Sequence, residues 1–244
     1  MFDQKAKDLF AKIGMEIPPV AIKFHFRRPE HIEQTKEVTA FCEFLKRAQD
    51  GARFCIAAEN ENCCGKIPLG MAPKDAATVS GCVGAEMKLY RNAAPNLRLH
   101  CSYPTVSLGA INFVEFCPLA ECDFDPDLVI CIAETEQAQL ILRATSYISG
   151  DLWESRSSYV MSCAWTYAYP YLTGKVNTLI TGMHHGLKRK KLYPAGRHII
   201  SIPYQKLGEV VTALDEMVWI PPDLQEGAPD TPFTHEDIAR SIGG

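Results

Sequence analysis

Apolar and polar positions change their period several times along the chain. PPVAIKFH (18–25) reads as a strand behind a stiff Pro-Pro entry. TAFCEFLKRAQ (39–49) carries a helical pattern that stops at Asp50 and Gly51. RFCIAA (53–58) predicts the next strand, SLGAINFVEFCPLAECD (107–123) a strand with turns, and DPDLVICIA (125–133) a strongly buried strand. In TEQAQLILRATSYIS (135–149) apolar groups recur at three and four residues, which predicts a helix ended by Gly150. VNTLIT (176–181) and HIISIP (198–203) read as strands, and YQKLGEVVTALDEMV (204–218) as a helix that Pro203 starts. A short helix is expected over 2–13, and VSGCVGAEMKLY (79–90) turns from a glycine-rich loop into a helix. The segment after Pro221, rich in Pro, Gly and Asp, reads as an extended arm or loosely packed surface.

This alternation predicts a compact mixed α/β fold in one domain, residues 1–244. A weak internal duplication divides it into two similar, intertwined halves, 16–90 and 125–220. In the first, Cys42 opens a helix that runs through Gly51 and a strand to the Gly/Cys turn at 61–70. In the second, Cys163 opens a segment that runs through Gly174 and a strand to the Gly/His turn at 182–186. Such halves would face each other across a pocket, with Cys42, Cys163 and Cys63 or Cys64 near it. The competing explanation is that helix–glycine–strand units are common in α/β folds.

Composition, at 47% hydrophobic and 22% charged, is that of a soluble protein, and the net charge of −4 argues against nonspecific nucleic-acid binding. The strongest apolar run, Leu128–Ala133, is too short to span a bilayer. MFDQKAKDLF at the N-terminus lacks the apolar core of a secretory signal, which points to the cytoplasm. Association through an apolar edge is expected to give a homo-oligomer.

Ten cysteines change the picture. Without an export signal they do not read as a disulfide scaffold. Cys55 and Cys131 lie in strand-like runs and read as core. The remainder suits soft-ligand chemistry: gathered thiolates hold iron–sulfur clusters or zinc. The preferred iron–sulfur ligands are Cys63 or Cys64 in ENCCGKIPLG (61–70), Cys82 in SGCVGA (80–85), and Cys117 and Cys122 in CPLAEC (117–122). Zinc is the alternative for the same ligands. Cys63 and Cys64 are expected to differ in role, because adjacent side chains on a nearly extended chain diverge. Cys63 is favoured as the functional position. Cys42 and Cys163, near helix starts, are candidate nucleophiles whose pKa a helix dipole would lower. In GMHHGLKRKKL (182–192), His184 and His185 are candidate bases or ligands, and Lys188, Arg189, Lys190 and Lys191 could neutralise an anionic cofactor. Neither glycine-bearing turn matches a phosphate loop or a dinucleotide fingerprint.

Four pieces together carry a resemblance: VAIKF (20–24), the Cys42 helix running into AQDG (48–51), CCGKIPLGM (63–71), and the stretch from Cys163 through TGKVNT to Gly182. The chain resembles the domain of unknown function 169 family over almost its whole length. The resemblance implies a soluble archaeal or bacterial protein, often from anaerobes, and no particular reaction. Two functions follow from the residues. One is an iron–sulfur redox protein or cofactor-associated oxidoreductase, with a redox partner. The other is a noncatalytic binding module for a small anionic cofactor or metal.

Overall fold

The computed structural model describes residues 4–227, with residues 237 and 240. Among the described residues, fifteen α-helices and strands follow one another. They are α1 (Gln4–Lys12), β1 (Ile17–His25), α2 (Phe41–Gln49), β2 (Phe54–Ala57), α3 (Ala76–Ser80), α4 (Cys82–Glu86), α5 (Ala93–Ser102), β3 (Phe113–Pro118), β4 (Leu128–Ala133), α6 (Thr135–Ser146), α7 (Tyr169–Thr173), β5 (Asn177–Ile180), α8 (His185–Lys190), β6 (His198–Pro203) and α9 (Tyr204–Glu216). A π-helical stretch, Ala164–Ala168, leads directly into α7. Among the described residues, no helix is long and apolar enough to cross a membrane.

One six-stranded sheet, ordered β2-β3-β1-β4-β6-β5, organises the rest. Every neighbouring pair is antiparallel. The Pro-Pro entry leaves its mark at the sheet centre. Ile17 pairs with Ile132 and Val20 with Ile130, so the register shifts across Pro18 and Pro19. Proline has no N–H to give a ladder, and an irregularity here lets a central strand carry two of them.

The sheet is covered on both faces, and the sequence alternates accordingly. On β4, Leu128, Ile130 and Ile132 join one core, while Val129, Cys131 and Ala133 join the other. On β1, Val20, Ile22 and Phe24 face the first core and Ala21 the second. The second core is closed by the apolar faces of α1, α6 and α9. The first is closed by Phe41, Phe44, Leu45 and Ala48 of α2 and by Trp165, Tyr167 and Ala168 of the π-helical stretch. The expected mixed α/β architecture is therefore present, as helix layers on both faces of an antiparallel sheet. The tail expected beyond Pro221 has a short 3₁₀ turn at Pro222–Leu224, and most of it lies outside the described residues.

Glu115 on β3 is the one fully buried carboxylate in the sheet among the described residues. It accepts from Arg53 at 3.1 Å and meets the Nε2 atoms of His25 and His31 at 3.0 and 3.1 Å. These partners outweigh its burial and hold its pKa below the ordinary glutamate value. The folded pKa is depressed, so this contribution to stability is present above the ordinary glutamate range and is lost as pH falls through the folded value. Glu115→Ala leaves Arg53 and both histidines facing an empty site. Breaking a buried pair costs about 3–5 kcal/mol; because Arg53 keeps some solvent access, urea denaturation is expected to read about 3 kcal/mol.

Candidate functional site

The turn that carries the cysteine pair is built on Asn60. This buried amide donates to the carbonyls of Thr35 and Glu37 at 2.8 and 2.9 Å. Its Oδ1 accepts the Ala57 N–H at 2.9 Å and Gln34 Nε2 at 3.0 Å. The Thr39 N–H donates to the Asn60 carbonyl at 2.9 Å, and the Asn62 N–H returns to the Thr39 carbonyl at 3.1 Å. The chain entering α2 is thereby tied to residues 60–62. Cys42, in the first turn of α2, is set beside the cysteine turn.

Four thiols line one cavity of about 350 Å³: Cys42, Cys63, Cys64 and Cys163. They arrive from three separate segments, namely the start of α2, the turn after β2, and the residue preceding the π-helical stretch. Gly65 makes the approach possible. A Cβ there would lie 2.6 Å from the Phe41 ring and 3.1 Å from Cys163 Sγ, so only glycine lets the turn reach this depth. Cys63 is exposed at the mouth, whereas Cys64, Cys42 and Cys163 are half-buried and pack against the first core.

Electrostatics separates the four. The Sγ atoms of Cys63 and Cys64 lie 3.9 Å apart and share one S–H···S contact. With Cys64 as donor, this contact pulls Cys63 down to about 6 against the cost of burial, helped by the Cys64 N–H and the charges of Lys190 and Arg189. Cys63 is thus the thiolate and Cys64 the retained thiol, whose pKa goes well up through the same contact and through burial. Burial also pushes Cys42 up to about 12 and Cys163 well above the ordinary thiol value. The lowering expected for Cys42 from its place at a helix start is overturned, because loss of water outweighs the helix dipole.

Glu61 completes the lining. It is buried, accepts the Cys63 N–H at 3.0 Å and the Lys66 N–H at 3.3 Å, and rises to about 7 through burial and the nearby Cys63 charge. Glu43 holds the far wall to α2. Its carboxylate accepts Lys190 Nζ at 2.5 Å and the Ala40 N–H at 3.1 Å, and also bonds the Thr39 hydroxyl. These bonds overcome its burial and lower it to about 2.

The structure brings together part of the residue set predicted from sequence. Cys42, Cys63, Cys64, Cys163, His185 and Arg189 line the cavity. Cys117 and Cys122 do not, since their side chains are buried in the opposite core with α1, α6 and α9. Cys82 is exposed on α4 and is absent from the cavity wall. His184 is buried beside Ser157, 3.4 Å from its hydroxyl, and Lys188 is exposed away from the cavity. Among the described residues, no three His, Cys, Asp or Glu side chains converge closely enough to hold a metal ion. His100 lines the cavity without a sequence signal that selected it, and Lys190, from the basic run read as able to neutralise an anion, lines it too. His100 sits on a helix with little amphipathic pattern, and Lys190 is one of several consecutive basic residues.

The family model DUF169, described as "Uncharacterised ArCR", matches residues 8–213. The chain is also 25% identical over 227 residues to "Uncharacterized protein MJ0308" of Methanocaldococcus jannaschii, covering 88% of this chain and 95% of that protein. No solved structure matches it.

Two outcomes test this geometry. Iodoacetamide should react first at Cys63, with a rate that rises through a midpoint near pH 6 as the thiolate forms. Lys190→Met removes a favourable positive charge, so the midpoint should move upward; an unchanged midpoint in a folded variant would contradict the assignment. Gly65→Ala forces the turn off Phe41. Overpacking of this kind costs about 1–3 kcal/mol, and a lowered thermal midpoint together with faster alkylation of Cys163 is expected.

Proposed function

We propose, for a chain that belongs to the DUF169 family, that it is a redox protein whose centre is an iron–sulfur cluster held in the four-thiol cavity. One observation carries this reading: four of the ten cysteines, drawn from three segments, line a single cavity. Cys42, Cys63 and Cys163 would hold the cluster from three sides, with Cys64 as the fourth thiol. Cys82, Cys117 and Cys122 are too dispersed to serve.

A cluster is preferred to one ion because the thiols come from three segments and do not converge on a point. A zinc ion needs its thiolates on one small tetrahedron, about 2.3 Å from the metal. No such convergence exists among the described residues. The four thiolates around a four-iron cluster each bind a different iron and spread over a larger volume. When bound, a cluster supplies one-electron transfer at a potential set by its charge, hydrogen bonds and solvent access. The chain's own part is to keep three donors half-buried, to hold Cys63 ionised, and to place Arg189 and Lys190 near the negative charge.

On this reading, the α2–Gly51–β2 and α7–Gly174–β5 units are two related halves that meet at the cavity. Cys42 and Cys163, which open the two units, both line the cavity, and that supports it.

Anaerobic purification followed by assay of iron, acid-labile sulfide and zinc tests the proposal. Iron and sulfide in comparable amounts are expected. Cys42→Ser, Cys63→Ser and Cys163→Ser should each lose most of both, while Cys82→Ser, Cys117→Ser and Cys122→Ser keep them. Protein that takes up neither after careful reconstitution would sink the cluster. Zinc alone would turn the same cavity into a closed structural site.

A further inference from the structure

The cavity has a second side that the thiols do not occupy. α4 and the turn after it contribute Val83, Met87 and Leu89, and facing them stand Val160 and Leu187. The cap is fixed to α5 at close range: a Cβ on Gly84 would lie 2.6 Å from the Asn96 side chain, and Asn96 Nδ2 donates to the Gly81 carbonyl at 3.0 Å. Val83 and Met87 are each more than 40% exposed although they line a cavity, at 41% and 44%. Large apolar side chains left wet on a cavity wall are unfinished as a core and suited to an apolar ligand.

Two polar groups on the same cavity lack partners. His100 is only 8% exposed, and its Nδ1 is buried with no hydrogen bond. Burial, and then the charge of Lys74, lower its pKa, so the ring is a neutral hydrogen-bonding group. A buried polar atom without a partner is costly, and a ligand supplies one. Arg189 is the second. Its neighbour Lys190 is paired with Glu43, whereas Arg189 has no hydrogen bond or ion pair with any described residue and stands exposed on the lining. A guanidinium fork at the mouth of an apolar cavity matches a carboxylate or sulfonate.

We infer that the cavity binds a small organic acid with an apolar body, the acid group held by Arg189, the body lying against Val83 and Met87, and a polar substituent reaching His100. This deepens the redox reading and rests on it for the role of the ligand as substrate or effector beside the thiols. Size restricts the class. The whole cavity is about 350 Å³ and its thiol side is shared, so the ligand falls below the middle of the ligand-site range, and neither glycine-bearing turn matches a phosphate-cradling loop that would favour a nucleotide.

Calorimetric titration with 2-naphthoate and with its neutral counterpart 2-naphthylmethanol tests the inference, with iron and sulfide measured on each preparation. Saturable binding of naphthoate, at least tenfold tighter than that of the alcohol, is expected. Arg189→Gln should erase that preference. Val83→Trp, which fills the apolar side, should weaken both probes at least tenfold. Absence of naphthoate binding, equal affinity for the alcohol, or undiminished binding by either variant would overturn the inference. Arg189-dependent binding to protein free of iron and sulfide would uphold the acid site and remove the cluster. Cluster-loaded protein that ignores naphthoate would do the reverse.

Discussion

Burial of β4 on both faces constrains everything around it. All six of its residues, Leu128 to Ala133, are buried, so neither face of the sheet centre can be left to water. Apolar surface on both sides of a strand demands a helix layer on each, worth roughly 25 cal/mol per Å² removed from water. One layer, made by α1, α6 and α9, is filled by aliphatic packing. The other is made by α2, the π-helical stretch and α7, and its aromatic rings cover the sheet centre. Where the start of α2 and the chain before the π-helical stretch reach the edge of that layer, packing stops short. The cysteine turn and the α4–α5 cap enclose what is left.

Two devices keep that space from collapsing. Asn60 uses its amide on four backbone and side-chain partners, which fixes residues 60–62 relative to the approach to α2. Glu43 bonds the N-terminal turn of α2 to Lys190 on α8 and so spans the opposite rim. Both are short polar residues or ion pairs at chain entries, where backbone groups need partners and helices offer unsatisfied N–H groups. The positions of the thiols therefore rest on hydrogen bonds made by residues that are not themselves chemical.

Much of this was legible in the sequence because it follows from periodicity. The strands at 18–25, 53–58, 125–133 and 198–203 and the helices at 39–49, 135–149 and 204–218 have clear spacing and clear stops, and each is present with ends moved by a few residues. A pocket near Cys42, Cys163 and the cysteine pair was expected between two halves, and the four thiols do line one cavity. The ligand choice was less legible. Cys117 and Cys122 sit in an irregular stretch that reads as a loop, yet β3 and the turn after it bury both against the far helices. His100 was hidden for a related reason. A polar residue in a polar stretch looks solvated until a tertiary contact removes its water.

The thiols' charges join these observations. Four thiolates in an apolar cavity would repel one another and lose hydration, and one free guanidinium with a half-engaged ammonium cannot offset that. The conflict is eased in one place: the Cys63 thiol is pulled down, while burial pushes Cys42, Cys64 and Cys163 up. Metal centres resolve it differently, by displacing protons from thiols and supplying positive charge in their place. On the proposed reading, Cys63, the most acidic of the four at the mouth, is the thiol that can make the first bond.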